Sequence, residues 1–283
     1  MDPFSAPPST PISVVVPDEP RKRRTGRYIA VVVIAALAIG GVVFAVTRGD
    51  DKPTYSLTAA KGATDDVNSY RFLVTTEALG SEVTVEVESD DEQGLAHLLM
   101  DFGGGTGIPV KLEMIVDVES KATYVNRSFY DAIGIPLDTE WLRMDDEWLQ
   151  QNGQGSIFDV ETPAGPLEAT AFIDKAVKTE DLGFDEVNGV KVKHYRVTFR
   201  GEDVVGANPN LESQLDGLDG TIPDQVVYEM YVDEQNIVRR VSYQMDIGPG
   251  EITTDIVMLA INEPLQFELP ADKDVTDASD LLG

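Results

Sequence analysis

Apolar and polar residues alternate along much of this sequence, and this period of two constrains the fold more than any other feature. Residues 82–88 read EVTVEVE, so three valines are separated by polar residues. Successive side chains of a strand point to opposite faces of a sheet. The pattern therefore predicts a strand with one buried face and one solvated face.

Similar runs, many of them rich in Val, Ile, Tyr and Thr, predict seven further strands at 70–76, 95–102, 111–118, 191–199, 226–233, 237–247 and 252–261. Asn188-Gly189 and the segment 233–236 have the length and composition of hairpin turns, so neighbouring strands are expected to pair antiparallel. Helical patterns are few and fall at 167–177, 211–215 and 129–133. We therefore expect an α+β fold that is mainly β.

The charge balance and the missing cysteines exclude several classes of protein. The 283 residues include 50 Asp and Glu against 22 Lys and Arg, a net charge of -28 that would repel nucleic acid. Cysteine is absent, which removes disulfides, thiolate metal sites and lipid attachment to a cysteine. His97 and His194 are the only histidines, too few for a histidine-rich metal site.

An uncharged run of 19 residues, 28–46, has the length and composition of a transmembrane helix. It follows a proline-rich tail, residues 1–27, whose composition is typical of disorder. A soluble core helix would carry a polar face, which this run lacks. A cleavable signal peptide is the second alternative, because Val43-Phe44-Ala45 resembles a small-residue cleavage site.

The basic residues around this run predict its orientation in the membrane. Five of them lie between 21 and 27, while Arg48 and Lys52 follow the run beside Asp50 and Asp51. The positive-inside rule then places the N-terminus in the cytoplasm. The acidic remainder of the chain, which begins with a linker at 47–64, is expected outside the cell membrane.

The order of several motifs resembles that of the LppX/LprG-like envelope lipoproteins of actinobacteria, within the LolA/LolB-like superfamily. The motifs are Asn188-Gly189-Val190, KHYRVT at 193–198, VYEMYVD at 227–233, IVRRV at 237–241, INEPLQFELP at 261–270, KATYVN at 121–126 and WLRMD at 141–145. The resemblance covers a domain at 65–275, followed by a C-terminal tail at 276–283. Relatives typically carry a lipidated cysteine, which this chain lacks.

The resemblance implies a curved antiparallel half-barrel sheet with a few helices on its concave face, enclosing an apolar cavity for a lipid or glycolipid. It implies a membrane-anchored carrier or chaperone of the cell envelope. A carrier held by a membrane-spanning helix cannot cross the envelope, so local capture or sensing fits this chain better than shuttling. The alternative is a non-enzymatic extracytoplasmic interaction or sensory domain without a cavity, and no protein partner is indicated.

Apolar residues on one face of the predicted strands are the candidates for lining such a cavity, or for filling a solid core in its place. They are Val83, Val85, Val87, Leu112, Met114, Val116, Tyr228, Met230, Val241, Tyr243 and Met245. Methionine suits an adaptable lining because its unbranched thioether repacks easily. The acidic surface favours a neutral or glycosylated ligand over an anionic one.

No motif predicts catalysis, a cofactor or a metal. The glycine-rich run at 103–107 lacks the Lys and Ser or Thr of a phosphate-binding loop, and we expect a hairpin loop there. The acidic run at 145–147 lacks the alternate spacing of a calcium loop, and we expect a solvated turn. His97 and His194 fall inside predicted strands without a nucleophile motif, so we expect no enzyme.

Overall fold

The computed structural model of this chain describes residues 54–63, 67–78, 80–103, 111–132, 134–151, 173–207, 223–246, 250–264 and 266–281. The predicted membrane span at 28–46 and the predicted turn at 211–215 lie outside these ranges. Within them, every helix is too short or too polar to cross a bilayer.

Twelve strands within the described residues form one sheet. They are β1 Ser69–Ala78, β2 Ser81–Asp90, β3 Leu95–Asp101, β4 Lys111–Asp117, β5 Ala122–Asn126, β6 Trp141–Asp145, β7 Lys178–Val187, β8 Val190–Arg200, β9 Gln225–Asp233, β10 Val238–Asp246, β11 Glu251–Ile261 and β12 Val275–Asp277. The described helices are α1 Leu57–Ala63, α2 Arg127–Ala132, α3 Asp146–Gln151, α4 Gly201–Ala207 and α5 Ala278–Leu281, with 3-10 turns at Ile173–Lys175 and Asp272–Asp274.

The sheet is open and curved, and its strand order is β12-β6-β5-β4-β3-β2-β1-β11-β10-β9-β8-β7. All neighbouring pairs are antiparallel except β12 and β6, which are parallel. The predicted mainly-β fold class is confirmed. The sheet runs as two meanders, β1 to β6 and β7 to β11, joined where β1 pairs with β11.

All eight predicted strands are present, and the first and last residues of each lie within two positions of the predicted limits. The Asn188-Gly189 hairpin is confirmed, since both residues take the positive φ angles, 50° and 79°, of a type I′ turn. The segment 103–107 lies between the paired strands β3 and β4, although 104–107 are outside the described residues.

One local prediction is wrong, and another lies partly outside the described residues. Of the predicted helix 167–177, the described residues 173–177 contain a 3-10 turn at Ile173–Lys175, after which the backbone N–H of Val177 donates to Thr198 at 2.8 Å, at the start of the β7–β8 ladder. The run 145–147 is a helix start and not a solvated turn. The Asp145 carboxylate accepts the Trp148 backbone N–H at 2.8 Å and so caps α3.

The C-terminal segment, residues 262–281, joins β11 to the opposite part of the sheet. The Asn262 side chain accepts the backbone N–H of Asn68 at 2.8 Å, and the Phe267 ring stacks on His97 with centroids 5.1 Å apart. β12 then pairs with β6, where Arg143 binds Asp277 at 2.8 Å. The segment therefore crosses β1 to β5 and covers the edge of β6. The predicted domain limit at 275 falls on the first residue of β12.

The core lies against one face of this sheet, and Phe72 in β1 is fully buried there, with 0% exposure. We expect Phe72→Ala to lower the free energy of unfolding by about 3–5 kcal/mol, the usual cost of a large core cavity. Val118→Ala is the control, because this side chain is 57% exposed, and it should change stability by less than about 0.5 kcal/mol. Equal denaturation midpoints for the two variants would contradict this placement of the core.

Candidate functional site

The strand register places all eleven candidate residues on one face of the sheet, which we call the apolar face. Val85 in β2 lies opposite Val74 in β1 and opposite Met100 in β3. Met100 in turn lies opposite Leu112 in β4. Directly opposed residues of an antiparallel pair share a face. Since alternate residues along a strand also share a face, the other candidates in β2 and β4 lie on this face too.

The same relation continues on the other side of β1. Val74 lies opposite Ile256 in β11, and Ile256 lies opposite Val241 in β10. Val241 is paired with Met230 in β9, and Tyr243 with Tyr228. One apolar surface therefore extends from β9 to β4, and the valines, methionines and tyrosines chosen from separate runs of sequence lie on it together.

Burial divides the eleven side chains into two groups. Seven are buried: Val83, Val85, Val87, Tyr228, Met230, Val241 and Met245. Four are half-buried: Leu112, Met114, Val116 and Tyr243. The buried group belongs to the main core cluster, in which Leu57 and Ala60 of α1 and Ile173 of the 3-10 turn also take part.

Three of the four half-buried candidates lie in β4, beside two half-buried residues of β3. Leu98 in β3 is opposite Met114 in β4, and Ala96 is opposite Val116. Together with Leu112 these residues form the β3–β4 apolar patch, and all five are half-buried. The apolar face is thus buried over β2, β1, β11 and β9 and partly open over β3 and β4, and Tyr243 in β10 is half-buried beside the Tyr228 ring.

The β3 side of this patch was not among the predicted candidates. Ala96, Leu98, Met100 and Phe102 alternate with His97, Leu99 and Asp101, so the same period-two signal that selected β4 was present in β3. The run was predicted as a strand, but its apolar residues were not among the candidates. Leu99, on the other face, is 37% exposed, and this second apolar residue weakens the alternation.

Two hydroxyl groups lie at the β5 side of the patch. Thr123 in β5 lies opposite Val116 in β4 and opposite Met144 in β6, so its side chain is on the apolar face. Thr123 is 2% exposed, and its hydroxyl is one of the buried polar groups without a hydrogen-bond partner. The Tyr130 hydroxyl donates to the Met144 sulfur at 4.0 Å, and burial raises the pKa of Tyr130.

Aromatic rings fill the part of the apolar face over β8 to β10. The Tyr228 ring lies 4.9 Å from Tyr243 and 5.3 Å from Phe199, measured between centroids. Burial raises the pKa of the Tyr243 hydroxyl, and its hydrogen bond to Thr254 partly opposes that effect. This region is packed, in contrast to the β3–β4 apolar patch.

The opposite face of the sheet carries ion pairs and a smaller buried apolar cluster of Val187, Val192 and Tyr231. Glu229 in β9 accepts Arg196 at 2.6 Å and lies 2.6 Å from the His194 ring nitrogen, and His194 stacks on Tyr231 at 4.2 Å. The hydrogen bond to Glu229 raises the pKa of Arg196. The His97 ring nitrogen lies 3.1 Å from Glu113 and its ring stacks on Phe267, so both histidines are held by a glutamate and an aromatic ring. In the described ranges, no three acidic or histidine side chains are grouped closely enough to hold a metal.

No family model and no curated protein matches this sequence. Solved structures with a similar fold include the Mycobacterium tuberculosis lipoprotein LppX, at 16% identity and a TM-score of 0.46, over 75% of this chain and 98% of that one. LprF from Mycobacterium bovis has 14% identity and a TM-score of 0.48, over 78% of this chain and 100% of that one. A putative outer membrane lipoprotein-sorting protein domain from Vibrio parahaemolyticus has 9% identity and a TM-score of 0.25, over 81% and 97%.

The different burial of Met114 and Met230 has a measurable consequence. Lysine in place of the half-buried Met114 can extend its ammonium group to water, so we expect Met114→Lys to cost less than about 2 kcal/mol of unfolding free energy. Met230 has 0% exposure, and Met230→Lys should cost more than about 4 kcal/mol or prevent folding. Chemical denaturation of both variants tests this. Similar losses would contradict the difference in burial between Met114 in β4 and Met230 in β9.

Proposed function

We propose that this protein binds the acyl chain of a lipid or glycolipid at the β3–β4 apolar patch. The observation that carries this proposal is the contrast along one continuous face, where the side chains over β2 and β9 are buried, whereas five of the six over β3 and β4 are half-buried and Met100 alone of these six is buried. Apolar surface that the fold leaves partly open is a characteristic of ligand sites. The remaining candidates, including Val85, Met230 and Val241, form the packed side of the same site.

The composition and size of the patch suit an acyl chain. Leu98, Leu112 and Met114 offer branched and unbranched apolar groups, and methionine adapts to ligands of different shape. β3 and β4 each have seven residues and are therefore about 23 Å long. One leaflet of hydrocarbon is about 15 Å thick, so a lipid chain extended along these strands would fit within their length.

The cellular setting of the proposal rests on the sequence. The uncharged run at 28–46 anchors the chain in the cell membrane with residues 1–27 in the cytoplasm, and the sheet lies outside. The protein then takes up or senses lipid close to its own membrane and does not act as an enzyme. Its net charge of -28 disfavours an anionic headgroup, so we propose a neutral or glycosylated lipid.

A second function, an interaction or sensory domain without a ligand, is favoured by the packing over β2 and β9. Val85 and Met230 have 0% exposure, as expected of a solid core. In that case the half-buried side chains of β3 and β4 belong to a surface that a protein partner covers. The two functions differ in whether purified protein carries lipid.

Native mass spectrometry of residues 50–283, which include every described residue, tests lipid binding. We expect close to one acyl lipid per chain after expression in a bacterial host. Met114→Glu places a charge in the patch and should reduce lipid occupancy by about tenfold, because a buried carboxylate would lose its hydration. Val118→Glu is the matched control, since Val118 is 57% exposed directly after β4, and it should retain the lipid.

Wild-type protein that is free of lipid and stays so after incubation with diacyl lipids would contradict the proposed function and support the interaction domain. Equal lipid occupancy in the Met114→Glu and Val118→Glu proteins would show that lipid binds somewhere other than the β3–β4 apolar patch.

A further inference from the structure

The apolar face contains a polar group that the fold itself does not use. Thr123 is 2% exposed, and its hydroxyl has no hydrogen-bond partner. A buried hydroxyl without a partner lowers stability, and valine has nearly the same shape without this cost. A threonine at this position is therefore unfavourable for folding alone, which points to a role for its hydroxyl.

The position of Thr123 places this hydroxyl beside the β3–β4 apolar patch. The residue opposite it in β4 is Val116, which is paired with Ala96 in β3, and both belong to the patch. Met114, two residues before Val116 in the same strand, extends the patch away from Thr123. Thr123 therefore lies at one end of the apolar surface that we propose for the acyl chain.

A second hydroxyl, that of Tyr130 in α2, lies near the residue paired with Thr123. The Tyr130 hydroxyl lies 4.0 Å from the sulfur of Met144, and Met144 is the residue opposite Thr123 in β6. A thioether sulfur is a weak hydrogen-bond acceptor. One hydroxyl without a partner and one with a weak partner are therefore present at this side of the patch, and each can donate to an oxygen atom.

We propose that Thr123 and Tyr130 donate hydrogen bonds to an acyl ester carbonyl of the bound lipid. This inference rests on the proposed function, and it adds the polar group that the site recognises. A carbonyl oxygen is uncharged, accepts two hydrogen bonds and directly precedes an alkyl chain. The carbonyl lies at the Thr123 end of the patch, and the alkyl chain extends along Met114 and Leu112.

The experiment compares two neutral ligands, dipalmitoylglycerol and its dihexadecyl ether analogue, which has no carbonyl. Affinities are measured for the wild type, Thr123→Val and Thr123→Ser. The wild type should bind the ester about a hundredfold more tightly than the ether, about tenfold for each of two well-made hydrogen bonds. Thr123→Val should lose about tenfold of this preference and leave the affinity for the ether unchanged, and Thr123→Ser should keep the full preference for the ester.

Thermal stability without ligand provides an independent readout. Thr123→Val should melt at the same temperature as the wild type or higher, because it removes a hydroxyl without a partner. A lower melting temperature would show that the hydroxyl already stabilises the free protein, and it would overturn the inference. Tyr130→Phe should weaken ester binding and leave ether binding unchanged.

The possible failures are distinguishable. A wild type that binds both ligands equally, or a Thr123→Val protein that keeps the full wild-type preference for the ester, overturns the role of Thr123 and leaves lipid binding intact. A wild type that binds neither ligand overturns this inference, and the absence of lipid from the purified protein would overturn the proposed function separately.

Discussion

The alternation of apolar and polar side chains along consecutive strands is the constraint on which the rest of this structure depends. Directly opposed residues of paired strands share a face. A shift of the pairing by one residue would therefore move valines such as Val85 to the opposite face of the sheet. The observed register instead continues one apolar face from β4 to β9. Core and candidate site are parts of that face, and they differ in how far other elements cover it.

The elements that cover the sheet are short, and most of the framework consists of backbone hydrogen bonds between paired strands. α1 contributes Leu57 and Ala60 to the main core, while the C-terminal segment crosses the opposite face and pairs through β12 with β6. Both faces of the sheet are therefore covered in part. Five apolar side chains of β3 and β4 stay half-buried, and we attribute function to this difference.

Much of the sheet was predictable because its strands carry local signals. β2 has regular alternation, and Asn188-Gly189 determines a hairpin by its backbone preferences. β7 was not predicted, since its sequence KTEDLGFDEV is polar on both faces and pairing with β8 defines it. β12 has three residues and depends on parallel pairing with β6. The two residues of the ion pair between these strands, Arg143 and Asp277, lie 134 positions apart in the sequence.

The candidate residues were predictable as members of one face, but the sequence does not contain their degree of burial. Met114 and Met230 occupy equivalent positions in alternating sequences. They differ in how far other parts of the chain cover their side chains. For the same reason Thr123 was not recognised, since a threonine in a strand attracts no notice until its hydroxyl is found buried without a partner.

The most direct test of the account is photocrosslinking of the full chain in vesicles that contain a neutral diacyl lipid with a diazirine in its acyl chain. The account predicts crosslinked peptides from β3 and β4, residues 95–101 and 111–117. Crosslinks confined to the predicted membrane span at 28–46, with none in the sheet, would contradict it.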